Sequence, residues 1–283
     1  KKGAVYVFVR SGKTWTQQAF IKASNADNGD RLAFSGLSLS ADGNTLAVGA
    51  DREDSNSRVI DGNQTDNSSG NSGAVYVFTR IGAEWSQQAY LKSSDSDADD
   101  RFGTSLDLSM DGNTLAVGAE GHNGFTGAVY VFSRLNETWS QQSILIASNA
   151  DPDMFGHSTS LSSDGNTLAI GAWYEESADA NQSDNSTPLA GAAYIFERNG
   201  SGWSQQAYIK PSTIGGDSFG ERVRLSGDSN TLAVSAVKED SNAVGVNGDE
   251  SDNSAENAGA VYIFVRSGEI WVQQGYLKAS NTD

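Results

Sequence analysis

Apolar and polar residues alternate in short runs along the whole chain, and Asp, Asn, Gly and Ser cluster between the runs. A period of two with turn residues at both ends predicts β-strands. The run Thr45-Leu46-Ala47-Val48-Gly49-Ala50 returns at residues 114–119, 167–172 and 231–236, each time behind an Asp-Gly-Asn or Asp-Ser-Asn corner. Such corners favour positive φ and predict a tight hairpin, so this strand, b, pairs antiparallel with the strand before it, a. Strand a follows Phe102-Gly103 and its counterparts Phe155-Gly156 and Phe219-Gly220, and is degenerate in the first copy, at residues 32–36. Strand c, Gly73-Ala74-Val75-Tyr76-Val77-Phe78, returns at 3–8, 127–132, 191–196 and 259–264 and is apolar on both faces, the mark of a strand buried on both sides. Strand d opens on Trp85, echoed at Trp15, Trp139, Trp203 and Trp271, and its Gln pair and Lys suit an outer edge strand.

A four-strand unit recurring about every 50–70 residues predicts stacked sheets, each burying its faces against its neighbours. In strand b, Ala47 and Gly49 share one face and Leu46 and Val48 the other, so a neighbouring sheet can come close on the small side. The expected architecture is all-β: a β-propeller of four-stranded antiparallel blades, four complete repeats plus one extra half-blade. The half-blade covers residues 1–29 and the repeats about 30–98, 99–152, 153–215 and 216–283, in one repeat domain. The leftover half-blade is expected to be completed by further repeats of a longer array or by another molecule.

Phe-Gly ahead of strand a, Gly-Ala closing strand b, and Gly-Ala-Val-Tyr-Val-Phe followed by Trp-x-Gln-Gln together resemble the FG-GAP repeats of bacterial surface and secreted proteins, relatives of the integrin α-subunit propeller. The resemblance covers essentially the whole chain. It implies a propeller, an extracellular or cell-surface setting as a secreted protein, a role in adhesion or structural assembly, and calcium binding. Two features depart from the family pattern. Where integrin-type blades carry an Asp-rich calcium loop, this chain has Ser40-Ala41-Asp42-Gly43-Asn44 and its copies, too few carboxylates to supply six to eight oxygens. The Pro of Gly-Ala-Pro is replaced by Asp51, Glu120, Trp173 and Val237.

Charge narrows the partners. A net charge of −17 argues against nucleic acid and anionic membrane surfaces, and no apolar run is long enough for membrane insertion. The chain has no cysteine, hence no disulfide, thiol nucleophile or Cys-ligated metal. It also lacks a phosphate-binding Gly-rich loop and a serine-nucleophile motif, and His122 and His157 read as ordinary loop or strand residues without metal-pair spacing. The chain therefore reads as a non-enzyme.

Alternating strand direction puts the b–c loops and d–a connections at one end of every blade. That end is acidic: the loops at 51–72, 173–190 and 237–258 are long, and the d–a connections add Asp95, Asp97, Asp99 and Asp100. Arg10, Arg80, Arg134, Arg198 and Arg266 fall at the other end. An octapeptide recurs in the long loops at 61–68, 179–186 and 247–254. It places oxygen side chains at Asp61, Asn63, Thr65 and Asp66, at Asp179, Asn181, Ser183 and Asp184, and at Asn247, Asp249, Ser251 and Asp252. This alternation is one a loop uses to aim ligands at calcium, and it is equally the pattern of solvated Asx turns. Trp173 and Tyr174, outside the repeat pattern on the acidic face, are the candidate contacts for a protein or glycan ligand. N-glycosylation sequons begin at Asn63, Asn67, Asn136, Asn181, Asn185 and Asn199. Two functions fit: an adhesion or assembly module, calcium-stabilised and self-associating through its half-blade, or a carbohydrate-binding or polysaccharide-cleaving propeller.

Overall fold

The computed structural model describes residues 2–149, 151–179, 182 and 184–281. It contains a two-stranded hairpin, β1 (Val5–Ser11) with β2 (Thr14–Ile21), followed by four antiparallel four-stranded sheets. These are β3 (Leu37–Leu39), β4 (Thr45–Ala50), β5 (Ala74–Ile81) and β6 (Glu84–Leu91); β7 (Ser105–Leu108), β8 (Thr114–Ala119), β9 (Ala128–Leu135) and β10 (Thr138–Leu145); β11 (Ser158–Leu161), β12 (Thr167–Ala172), β13 (Ala192–Asn199) and β14 (Gly202–Ile209); and β15 (Phe219–Leu225), β16 (Thr231–Ala236), β17 (Ala260–Ser267) and β18 (Ile270–Leu277). Strand order within each sheet follows chain order, as blades require. Among the described residues the single helical turn is His122–Phe125, and no helix is long and apolar enough to cross a membrane.

In the second and third blades strand a is shorter than its sequence pattern. Phe102 and Phe155 lie ahead of β7 and β11, while Phe219 opens β15. All three make isolated parallel bridges to the preceding unit, Gly73 to Phe102, Gly127 to Phe155 and Gly191 to Phe219. Phe-Gly is thus a link between blades more than the start of a strand. A Cβ on Gly49 would stand 2.2 Å from the carbonyl oxygen of Gly103 in the next unit, so only glycine lets the second blade approach this closely.

Each blade has two different faces. The leading face is small and aliphatic (Ala47, Val75, Val77 and Leu91 in the first blade), and it packs against the trailing face of the next blade, which presents Tyr130, Phe132 and Trp139. The same pairing builds the other joints, including that between β1–β2 and the first blade. The Gln pair of strand d works at two joints at once, because adjacent strand residues point to opposite faces. The first Gln of the pair faces back: Gln87, Gln141 and Gln273 accept the backbone N–H of Ser24, Ser94 and Ser212 in the preceding unit. Its neighbour faces forward. Gln18 accepts from the Trp85 indole and from Arg80, Gln88 from Trp139 and Arg134, and Gln206 from Trp271. Three strand-c arginines also lie over Trp rings of strand d, Arg80 on Trp85, Arg134 on Trp139 and Arg198 on Trp203.

The Asp-Gly-Asn corner is a scaffold piece. Asp42 accepts hydrogen bonds from the Ser40 hydroxyl and from both the backbone and side-chain nitrogens of Asn44, and these contacts hold its carboxyl below the usual range. Its oxygens are spent on the turn.

Candidate functional site

The long loops are rooted in the sheet by a repeated buried ion pair. Three residues past strand b stands a glutamate, and one residue past strand d a lysine. Glu53 meets Lys92 at 3.3 Å, Glu175 meets Lys210 at 2.5 Å, and Glu239 meets Lys278 at 2.6 Å. Lys92 and Lys210 also donate to the carbonyls of Gly73 and Gly191, and the Tyr208 and Tyr276 hydroxyls donate to Glu175 and Glu239. Burial pushes the Lys92 and Lys210 ammoniums down, with the glutamates opposing it, and pushes Glu53 up against the pull of Lys92. In the short-loop unit the glutamate position holds His122 and the lysine position Ile146. His122 instead reaches Asp100 and the Tyr130 hydroxyl at 3.5 and 3.3 Å, and its hydrogen bond to Asp100 raises its pKa.

The octapeptides strap neighbouring units together. Position one holds strand d: Asp61 accepts the Tyr90 N–H and Asn247 the Tyr276 N–H. Position four reaches the serine after strand d of the preceding unit, pairing Gln64 with Ser24, Gln182 with Ser148 and Glu250 with Ser212. Positions three and five close an Asx turn, Asn63 accepting from Thr65 and Asp249 from Ser251. At position six, Asp66 accepts the Ser68 N–H, Asp184 accepts from Ala178 and Ser186, and Asp252 accepts from Asn242 and Ser254. Asn181 and Ser183 lie outside the described residues. Among the described residues no three His, Asp or Glu side chains converge in a metal-binding group. The oxygens in view are taken up by hydrogen bonds to their own turns, to strand d and to the rest of the loop, so the arrangement does not fit a preformed calcium cage of six to eight oxygens. Asn63, Asn67, Asn136, Asn185 and Asn199 are exposed, whereas Asn181 is not described.

A charged cluster sits where the first residues of the inner strands meet the exits of strand b. The Arg101 guanidinium donates to Glu120 at 3.0 Å, Glu120 meets His157 Nδ1 at 2.6 Å, and His157 Nε2 faces Glu221 at 3.3 Å with Arg222 at 3.0 Å. Burial works against a charged imidazole here, but the hydrogen bonds to Glu120 and Glu221 prevail and raise its pKa to about 9. Burial alone would raise Glu120, yet the His157 and Arg101 contacts hold it low, and Glu221 is held low by its hydrogen bond with His157. The Trp173 ring lies 5.6 Å from the His157 ring and 4.8 Å, edge to face, from Tyr174, with the Lys238 ammonium 6.0 Å above it. Below this rim a polar cleft of about 120 Å³ runs between the inner strands, lined by Thr104, Ser158, Thr159 and Arg224 among others. The Trp173 indole N–H is buried and has no partner among the described residues, while Tyr174 is exposed.

Trp173 and Tyr174 stand side by side where the third blade's long loop leaves strand b, and His157, read as an ordinary residue, lies at the centre of a charged network. The signal was present in the repeat. His157 occupies the place after Phe-Gly that Thr104 and Glu221 hold in other units, and Glu120 occupies the irregular exit position shared with Trp173. Their meeting depends on which blades are adjacent, which no single unit reveals.

Blades of four antiparallel strands stacked face to face, with the variable residues gathered on one loop face, define a propeller-type repeat protein. The FG-GAP repeat family model matches residues 15–78, 85–132 and 139–196, more than half of the chain, and the chain belongs to that family. Each matched segment runs from the Trp of strand d to the Phe of the next strand c, so it straddles a blade joint. No curated protein sequence matches the chain. Among solved structures it is similar to a candidate 6-phosphogluconolactonase from Bacteroides uniformis, at 14% identity and a TM-score of 0.58 over 99% of this chain and 67% of that one. It also matches TolB from Acinetobacter baumannii, at 13% identity and a TM-score of 0.49 over 99% of this chain and 49% of that one. The first likeness speaks for the fold alone.

Proposed function

We propose that the chain is a non-enzymatic adhesion and assembly module of an extracellular surface or matrix protein, and that it binds a glycan or protein ligand at the Trp173–Tyr174 rim. The observation that carries this reading is the rim itself. An aromatic pair, Tyr174 exposed and the Trp173 ring half-buried beside it, stands next to a fixed row of alternating charges. Sugar rings and planar side chains stack on such pairs and take hydrogen bonds from their edges. Rigidly rooted loops around the rim reduce the ordering cost of binding. The extracellular setting rests on family membership and on the exposed Asn- and Ser-rich loops.

Glycan cleavage is the weaker alternative, because Glu120 and Glu221 are both engaged by His157 and neither is placed as a free acid or nucleophile. Calcium would bind the loops only by rearranging the octapeptides, whose described oxygens are turned into their own hydrogen bonds. A glycan array and immobilised matrix proteins, probed with the chain and with Trp173→Ala, test the proposal. Binding that falls at least tenfold in the variant supports it. Binding that is unchanged in the variant, or glycan product released by the unmodified chain, overturns it.

A further inference from the structure

The second blade has no long loop, and its outer edge is finished differently from those of the first and last blades. In those two the loop returns to strand d and pairs with it. The Asp61 N–H donates to the Tyr90 carbonyl at 2.8 Å while its carboxylate accepts the Tyr90 N–H, and Asn247 does the same with Tyr276 at 2.7 and 2.9 Å. In the last blade the pairing extends to an antiparallel bridge of Val246 with Leu277 and to the Lys278 N–H, which donates to the Gly245 carbonyl. The N–H and C=O at this place on strand d therefore point away from strand c, and an extended segment can add to the sheet beside them.

Ile144 stands at that place in β10. The register is the same, Ile144 opposite Tyr130 as Tyr90 is opposite Tyr76 and Tyr276 opposite Tyr262. Its outward N–H and C=O have no partner among the described residues. The side chains differ too. Tyr90 and Lys92 are buried beneath the first loop, whereas Ile144 and Ile146, at the same two places, are 40% and 51% exposed. Natural sheets protect an outer strand with a charge, a proline or a covering loop. This edge has a complete blade on either side of it and none of those protections, and it carries two isoleucines on one face.

We propose that the edge of β10 takes an extended segment of a partner protein, added to the second blade as a further strand. The chain's own loops show what such a segment needs at the docking point: a β-branched residue followed by Asx, Ile60-Asp61 in the first blade and Val246-Asn247 in the last. Those loops are strapped to their own blades, so the occupant comes from another molecule. It also brings a cation. In the other blades Lys92, Lys210 or Lys278 supplies a positive charge from the sheet, and Ile146 supplies none. Asp95 lies on this side of the sheet, half-exposed, accepting from the Tyr130 hydroxyl at 2.8 Å and with the His122 ring at 3.9 Å. A segment with a β-branched residue, an Asx and a nearby Lys or Arg meets all three features: main-chain pairing with Ile144, apolar cover for the isoleucines and charge for Asp95. The site is independent of any ligand at the Trp173–Tyr174 rim.

The test pans a phage-displayed library of random peptides against the full chain and carries the enriched sequence forward as a synthetic peptide. Enriched peptides should share a β-branched residue followed by Asp or Asn, with a Lys or Arg nearby. In hydrogen exchange the Ile144 amide should be fast in the free chain, where those of Tyr90 and Tyr276 are slow, and should become slow once the peptide is bound. Ile144→Pro removes the outward donor without touching the ladder to strand c, and Ile146→Glu spoils the apolar cover. Each should weaken the peptide at least about tenfold, and Trp173→Ala should leave its binding unchanged. Circular dichroism checks folding, and the exposure of Ile146 keeps the second variant informative if the proline variant does not fold. No enrichment, an Ile144 amide already slow in the free chain, or binding indifferent to Ile146→Glu overturns the proposal. Peptide binding lost in Trp173→Ala, with no protection at Ile144, overturns it as well while supporting the rim as the ligand site.

Discussion

Lys92→Met probes the buried ion pair that roots the first long loop. The ammonium is fully buried and donates to Glu53 at 3.3 Å, to the Ser72 hydroxyl at 2.8 Å and to the Gly73 carbonyl at 2.6 Å. Methionine fills a similar volume but donates nothing, so Glu53 is left with its Ser55 N–H contact and the Asn25 amide. Breaking a buried pair from one side typically costs about 3–5 kcal/mol, because the remaining charge stays desolvated. At about 2–4 °C per kcal/mol, the melting midpoint should fall by roughly 6–20 °C. The loss should centre on the first blade, since stability in a repeat stack adds up from neighbours, and hydrogen exchange should report faster opening of residues 51–72 than of the short loop. Removing both charges, as Glu53→Leu with Lys92→Met, should restore most of the midpoint, because the unit that carries His122 and Ile146 already does without the pair. A loss below about 1 kcal/mol in the single variant, or a double variant no better than the single, would refute the claim that charge burial governs this site.

Four other perturbations act through named contacts. His157 has a folded pKa of about 9 against about 6.5 in an unfolded chain, so its stabilisation is complete below about pH 6.5 and is lost as pH rises through about 9. Melts of the native chain should therefore weaken across that window, and His157→Gln should remove the dependence; Glu120 and Glu221, held low, give the opposite limb as pH falls below about 4.5. Gln88→Ala strands the Trp139 indole and one Arg134 nitrogen and should cost about 1–3 kcal/mol in denaturant titration, whereas Gln142→Ala should cost far less, since Gln142 bonds to Ser140 in its own strand. Gly49→Ala forces a Cβ against the Gly103 carbonyl and should destabilise by about 1–3 kcal/mol, visible as a lowered midpoint. Melting midpoints in calcium and in chelator should coincide; a rise in calcium would show that the octapeptides rearrange around the ion.

Strand identity, blade order and the edge role of strand d were legible because they depend on local alternation and on repeated turns, which each unit states independently. The small side of strand b was legible for the same reason, since Gly49 and its copies leave room wherever they occur. The jobs of the Gln pair were not, because each Gln acts on a different neighbouring unit. Gln88 makes sense only beside Trp139 and Arg134, which lie in the next blade. The octapeptide was ambiguous on its face. Its Asx and Ser pattern serves a metal or a turn equally well, and its work as a strap was hidden because Gln64 makes its contact with Ser24 of the preceding unit. The lysine after strand d read as edge protection, yet Lys92 and Lys278 are buried, because the long loop folds over them and supplies a glutamate.

The short-loop unit shows why these devices travel together. Where the b–c loop is long, a glutamate three residues past strand b and a lysine past strand d meet beneath it, and an octapeptide ties its far side to the preceding blade. Where the loop shrinks to residues 120–126, all three are missing at once: His122 replaces the glutamate, Ile146 the lysine, and no octapeptide occurs. Local propensity gives no reason for residues so far apart in sequence to change together. Burial does, since a lysine or a glutamate kept alone at either place would be a desolvated charge without its partner. The same unit supplies Glu120 to the His157 network of the neighbouring blade. Glu120, His157 and Trp173 thus meet at the joint between this blade and the next, each at a place where its unit departs from the repeat.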